Sequence, residues 1–313
     1  MPELPEVETI VRGLNNFIPG KTIRAVEIRH KKVAAKHGVK GFQRLLEGQT
    51  FRDVKRRGKF LHFRFQSGDN LVVHLRMTGK FIVYSRGSVP EHKHIRLVFR
   101  LSEHACILYN DLRLFGSFHF YSAGQEIIEF QVLGRDPIDE KIDIEWFILQ
   151  CRRRSVPIKV LLLDQKVLCG IGNIYACEAL FRTHLNPQIP ARDITFSQVS
   201  RLLKEIRSLL RLAIRHNGTS VSDFRNVDDK SGGFQRFLKV YGRAGEPCPS
   251  CGEPIRRIRQ AQRSTFFCSK CQVVLPIEGT EQPKSLLKMK TTRRRRRTNK
   301  VVRGTKLRSS KRK

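Results

Sequence analysis

The chain opens with apolar residues at helical spacing. Val7, Ile10, Val11 and Leu14 fall three or four apart, which predicts a helix over 3–16 that Pro19-Gly20 ends. The period then shortens. Lys21–Arg29 alternates around Ile23, Val26 and Ile28. Gly58–Phe65, Leu71–Leu75, Ile95–Leu101 and Cys106–Tyr109 are short, β-branched or aromatic runs broken by Gly, Ser, Asp or Asn. Many short strands behind one helix predict a β-sandwich or flattened barrel over 1–121, with the helix packed at one edge. Residues 122–145 are polar and acidic, with Gly124, Gly134 and Asp136-Pro137, and read as a hinge. Over 146–240 the period is helical again. Ile158, Leu161, Leu162 and Leu163 follow Ser155-Val156-Pro157. Gln198–His216 is amphipathic, with Val199, Leu202, Leu203, Ile206, Leu209, Leu210 and Ala213 on its buried face and Arg201, Lys204 and Arg207 off it, in solvent. Asn217-Gly218 stops that helix, and a polar, Gly-rich loop runs on to Tyr241. The fold class is therefore α+β and multidomain: a sandwich lobe, a hinge, a helical lobe, a cysteine module over 241–275 and a tail over 276–313.

Charge changes the picture. The 313 residues are 40% hydrophobic, enough for a core, yet carry a net charge of +33, which points to a polyanionic partner. Residues 283–313 hold 15 Lys or Arg and no acid, and should be disordered. A sequence-independent tether to the polyanion is the role expected of them, with a nuclear-localisation signal as the rival and a solvated tail with no specific job as the plain alternative. No run of 18 apolar residues and no signal peptide is present, so neither a membrane span nor secretion is expected. Cys106, Cys151, Cys169 and Cys177 are scattered and read as reduced thiols of an intracellular protein. Cys248-x2-Cys251-x16-Cys268-x2-Cys271 is different, because two CxxC knuckles can give four thiolates to one tetrahedral Zn²⁺. A disulfide pair suits that compartment poorly, and a redox couple needs only one knuckle. With four positions filled, the zinc is structural. The span between the knuckles alternates like a hairpin and carries Arg256, Arg257, Arg259 and Arg263.

The first residues hold the sharpest chemistry. Trimming Met1 leaves Pro2 as a secondary amine, and an α-amino group titrates near about 7.7–8.0, so part of it is neutral and nucleophilic. Attack on a sugar C1′ would give an iminium ion. Glu3, Glu6 and Glu8 stand close enough to relay protons, although Pro then Glu is also ordinary chemistry for a helix start. Arg56-Arg57-Gly58-Lys59-Phe60 reads on charge alone as a basic hairpin turn, and Met77 on its own as core filler. In Asp111-Leu112-Arg113-Leu114-Phe115-Gly116, Arg113 and Phe115 point the same way if the backbone is extended. Gly170-Ile171-Gly172-Asn173 before an apolar helix has the form of a phosphate cradle, or of a plain helix cap.

The string MPELPEVET resembles the start of formamidopyrimidine-DNA glycosylases. The likeness continues through His74-Leu75-Arg76-Met77-Thr78-Gly79, Gly170-Ile171-Gly172-Asn173-Ile174-Tyr175-Ala176, Val240-Tyr241-Gly242-Arg243 and Gln260–Phe266, to about Gln272. The resemblance implies a helix–two-turns–helix motif in the helical lobe and a zinc-finger β-hairpin. It makes Pro2 the nucleophile and Glu3 its partnering acid, and it sets Lys59 and Arg263 on phosphate beside the lesion. His74 and Asn173 would be DNA-binding, Asn173 through phosphate. Met77 and Phe115 would enter the duplex while Arg113 meets the orphaned base. Glu6, Thr219, Ser220 and Tyr241 would line the lesion pocket. Leu114 departs from the pattern, being basic in many relatives, which puts one phosphate contact in doubt. The implied activity is removal of oxidised purines, such as 8-oxoguanine, from duplex DNA, followed by β,δ-elimination at the abasic site. The partner is double-stranded DNA with oxidised bases or abasic sites, bound by a monomer at the nucleoid in the cytoplasm, or in the nucleus of a eukaryotic source. An endonuclease VIII-type pyrimidine glycosylase and a non-catalytic damage binder are the alternatives.

Overall fold

The computed structural model describes residues 1–85, 93–138, 142–220 and 226–273; the basic tail lies outside them. The opening helix, α1, spans Leu4–Asn15, with Glu3 at its N-cap and Pro5 in the first turn. Both positions suit these residues, since the first turn has N–H groups to spare and an end that attracts anions. Val7, Ile10, Val11 and Leu14 are buried, as the spacing required.

Eight strands follow: β1 Ile23–Ile28, β2 Phe51–Arg57, β3 Phe60–Phe65, β4 Asn70–His74, β5 Lys80–Tyr84, β6 Ile95–Leu101, β7 Cys106–Asn110 and β8 Ser117–Tyr121. They form two antiparallel four-stranded sheets, ordered β1-β6-β7-β5 and β2-β3-β4-β8. One core between the sheets gathers Phe51, Phe63, Phe65, Phe81, Tyr109 and Phe118 with the apolar stripe of α1, so the lobe is a sandwich closed at one edge by its first helix. The predicted strand Gly58–Phe65 begins two residues later than the pattern suggested. Gly58 and Lys59 instead make the tight turn between β2 and β3, with Gly58 at φ 57°. Strand β2 has no apolar alternation because a bulge between Phe51 and Asp53 shifts its register and Arg56 takes an inward position.

Beyond the sandwich come the short α3 (Ile128–Gln131), then α4 (Ile144–Arg152), α5 (Ile158–Leu162), α6 (Asn173–Arg182) and α7 (Phe196–Arg215). Thr195 and Gln198 form a capping box at the start of α7. Strands β9 (Arg256–Gln260) and β10 (Arg263–Phe267) make the hairpin between the cysteine knuckles. The segment read as a hinge is fastened at several points. Asp136, 1% exposed, is ion-paired with the guanidinium of Arg56, which also donates to Glu8 at 3.0 Å. Arg135 bridges Leu168. Leu4 packs into the helical core and Val227 into the sandwich core, and Lys80 pairs with Asp229 at 2.7 Å. Two of the cations expected in solvent on α7 are tied down: Arg201 donates to Thr183 O at 2.6 Å and Arg207 to Pro137 O at 3.0 Å.

Candidate active site

The chain's start and the N-terminus of α6 meet at the site's centre. Glu3 is buried, and its carboxylate accepts from the backbone N–H groups of Ile174 at 3.0 Å and Tyr175 at 3.4 Å. Leu4 N donates to Gly170 O at 3.0 Å. Each glycine of Gly170-Ile171-Gly172 makes room for this contact. A Cβ on Gly172 would lie 2.3 Å from Glu3 Cδ, and one on Gly170 would lie 2.7 Å from Leu4 Cδ1. Two of the free N–H groups at the positive end of α6 thus hold an internal carboxylate. Pro2 is buried beside this contact, while Met1 lines an open groove with Arg76, Met77, Leu114 and Phe115.

Glu6 lies one helical turn further on and is 2% exposed. It accepts from Glu3 N at 2.8 Å, Tyr175 Oη at 2.6 Å and Thr219 N at 2.8 Å. Burial chiefly, with the nearby Glu3 charge, raises its pKa to about 7. Lys59, 7% exposed at the β2–β3 turn, has its pKa lowered by burial, against the pull of Glu3 and Glu6; the charge of Arg263 lowers it further. A desolvated cation beside two carboxylates and a second cation suits an anion arriving from outside. His74 is buried and held neutral, its pKa pushed down to about 3 by burial and then by Arg76 and Lys59. Its Nδ1 accepts from Arg76 N at 2.9 Å, which leaves Nε2 as the protonated nitrogen.

Met77, at 40% exposure, and Phe115, at 51%, are exposed apolar side chains of the groove, and Leu112, at 54%, lies on the same loop as Phe115. Buried Asp111 fixes their loop, accepting from Tyr109 Oη and Gly116 N, both at 3.0 Å, and from Thr78 Oγ1 and Arg113 N. The loop is not extended between Arg113 and Phe115. Leu114 sits at φ 57°, and this left-handed turn brings the Arg113 guanidinium over the Phe115 ring at 4.7 Å.

The zinc-type hairpin reaches the same place. Its turn, Ala261-Gln262, has φ of 44° and 59°, as a tight two-residue hairpin requires, and Arg263 follows at once in an exposed position. The four sulfurs of Cys248, Cys251, Cys268 and Cys271 lie within 4.8 Å of one another, with Cys248–Cys271 at 3.8 Å and Cys251–Cys268 at 3.5 Å. Those separations are far beyond a disulfide. They approach the edge of about 3.8 Å expected of a tetrahedron with metal–sulfur bonds of about 2.3 Å, so the set fits one structural metal ion. Cys106, Cys151, Cys169 and Cys177 are buried.

The pocket residues divide. Thr219 is drawn to Glu6, with its Oγ1 at 3.0 Å from Tyr175 Oη. Ser220 Oγ accepts from Gly232 N at 2.8 Å, and Ser220 N donates to Gln235 Oε1 at 3.3 Å. Tyr241 packs edge-on against Phe266 at 5.2 Å and shares a hydrogen bond with Asn173. Asn173 is engaged within the chain, accepting from Lys159 Nζ at 2.6 Å and donating to Ser264 O at 2.8 Å.

Residues 1–118 match the formamidopyrimidine-DNA glycosylase N-terminal domain, 133–225 the formamidopyrimidine-DNA glycosylase H2TH domain, and 245–273 the zinc finger found in FPG and IleRS. The formamidopyrimidine-DNA glycosylase of Lactiplantibacillus plantarum is 40% identical over 270 residues, spanning 86% of this chain and 98% of that one. This chain belongs to the formamidopyrimidine-DNA glycosylase family. The relative from Salinispora arenicola is 41% identical over 277 residues, 87% of this chain and 96% of its own. Two Lactococcus lactis structures align with a TM-score of 0.81 at 33% identity: a mutant FPG with DNA containing Fapy-dG, and an Fpg complex with DNA containing an abasic site. The first covers 87% of this chain and 99% of that one, the second 86% and 99%. Among the described residues no helix is long and apolar enough to cross a membrane.

Some members of this glycosylase's polar framework carried no sequence signal. Lys159 is fully buried and donates to Asn173 Oδ1, to Ser264 O at 3.2 Å and to Thr265 Oγ1 at 2.7 Å, which ties α5 and α6 to the hairpin. Glu178 accepts four hydrogen bonds from the backbone N–H groups of Lys239, Val240 and Tyr241, between 2.9 and 3.0 Å. Glu178 lies on α6, which is buried along almost its whole length, and Lys159 lies on α5, where it is fully buried.

Proposed function

We propose that this chain excises oxidised purines from duplex DNA and then cuts the abasic strand, with Pro2 as nucleophile once Met1 is removed. The observation that carries the reading is the seating of the chain's first residues, with Glu3, on the N-terminus of α6 beside the buried ammonium of Lys59. A base inside a stacked duplex is out of reach, so the nucleotide must be extruded at a cost of a few kcal/mol. Met77 and Phe115 fill the gap left in the stack, and Arg113 donates to the orphaned partner base. Lys59 and Arg263 bind the phosphates beside the extruded nucleotide. Glu6 and Thr219 meet the base; Ser220 and Tyr241 complete the pocket, and His74 and Asn173 serve the DNA backbone.

The Pro2 nitrogen lone pair then forms a bond to C1′ while the glycosidic bond breaks. The base leaves with the bonding pair and takes up a proton. Loss of the proton on the Pro2 nitrogen and opening of the sugar give an iminium ion, with Glu3 moving protons at the ring oxygen. Removal of a C2′ proton expels the 3′ phosphate, and a second elimination expels the 5′ phosphate. Zn²⁺ held by Cys248, Cys251, Cys268 and Cys271 shapes the hairpin and takes no part in these steps. Borohydride added during reaction with 8-oxoguanine DNA should attach the chain covalently to the strand, and a chain with an uncleavable leader before Pro2 should not be trapped. Excision without any trapped adduct would remove the imine from the account. Parallel assays on thymine-glycol DNA separate the purine preference from a pyrimidine one.

A further inference from the structure

Tyr175 is absent from the chemistry above, yet it joins three of the elements that surround the site. Its side chain is 1% exposed, on the first turn of α6. Its hydroxyl donates to Glu6 Oε1 at 2.6 Å and lies 3.0 Å from Thr219 Oγ1, while Thr219 N donates to the same carboxylate oxygen at 2.8 Å. The ring packs against Phe234 with centroids 6.0 Å apart, and Phe234 N donates to Gly218 O at 3.0 Å. A phenol has one proton. Since that proton goes to the carboxylate, the contact with Thr219 is one in which Thr219 Oγ1 donates and Tyr175 accepts. A closed ring results: Thr219 Oγ–H to Tyr175, Tyr175 O–H to Glu6, and Glu6 back to Thr219 N–H. Its three members come from α6, from α1 and from the segment after α7. Glu3 and Lys59 are the charged groups facing Glu6 from outside the ring.

We propose that Tyr175 is a positioning residue for base release: its hydroxyl sets Thr219 against Glu6, and so fixes the part of the pocket that grips the extruded base. This rests on the reading under Proposed function. The ring lies apart from the Glu3 seat, whose hydrogen bonds come from backbone N–H groups that Tyr175→Phe leaves in place. A preformed abasic site offers no base to grip. The substitution should therefore separate the two reactions.

The test compares single-turnover excision of 8-oxoguanine with cleavage of a preformed abasic strand, for the parent chain, Tyr175→Phe, Thr219→Val and the double variant. Tyr175→Phe should slow excision by about tenfold or more, the usual weight of a misaligned polar contact, and change abasic cleavage by less than about twofold. The double variant should be no slower than Thr219→Val alone, because both changes open the same ring. Equal slowing of both reactions, unchanged excision, or additive losses in the double variant would overturn the proposal. If the parent chain itself neither excises nor forms the trapped adduct, the underlying reading fails first and takes this one with it.

Discussion

Replacing Glu6 with Gln isolates the free energy of one buried carboxylate. In the folded chain, burial and the Glu3 charge raise its pKa from 4.5 to about 7. Between those values the folded state keeps a proton that the unfolded state has released. The protonated carboxyl thus contributes stability that is fully present below about pH 4.5 and lost as pH rises through 7. At about 1.4 kcal/mol for each tenfold change, the window is worth about 3 kcal/mol. His74 works in the opposite direction. Held neutral, with a pKa near 3 in place of 6.5, it costs stability as pH falls below its ordinary value. The parent chain should therefore look nearly flat between pH 4.5 and 6.5, and only its difference from Glu6→Gln exposes Glu6. The assay is urea unfolding followed by fluorescence of Trp146, the only tryptophan, from pH 5 to 8 with zinc present. Relative to the parent, Glu6→Gln should gain about 2 kcal/mol between pH 5 and 8, which moves the urea midpoint by up to about 1 M. A midpoint difference that is the same at both ends of the range would refute the claim that the buried site holds this carboxyl's proton.

Three further outcomes follow from the geometry. Gly172→Ala puts a methyl group 2.3 Å from Glu3 Cδ, so borohydride trapping should slow by about 100-fold, and a rate within a few-fold of the parent would show that Glu3 tolerates displacement. Lys159→Met leaves Asn173 Oδ1, Ser264 O and Thr265 Oγ1 without their shared donor; the chain should lose about 1–3 kcal/mol in urea unfolding and bind abasic DNA more weakly by anisotropy, and unchanged affinity would detach the hairpin from this anchor. Stripping the thiolates with a mercurial and a chelator should release one metal ion per chain by elemental analysis and abolish tight DNA binding; full binding by the stripped chain would make the metal dispensable.

Local periodicity made α1, α7 and several sandwich strands legible, because burial on one face leaves an apolar rhythm in the sequence. The cysteine module was legible for a related reason: four ligands for one ion need two short knuckles, whatever the rest of the fold does. Strand β2 was not, since a bulge and an inward Arg56 erase its alternation. The Gly170-Ile171-Gly172 turn was legible as a close approach but not for its occupant. The spacing of glycines says that something comes near the backbone; it cannot say that the visitor is Glu3, from far away in the chain.

The sequence by itself thus determined the class of each lobe and the cysteine set, both of which depend on residues close together along the chain. Tertiary structure alone decided that Glu3 occupies the end of α6, that Glu6, Tyr175 and Thr219 close a ring, and that Lys159 and Glu178 face inward. Those features depend on burial and on charges brought together from distant segments, and the free energy of burying a polar group is a property of its surroundings, which local sequence does not encode.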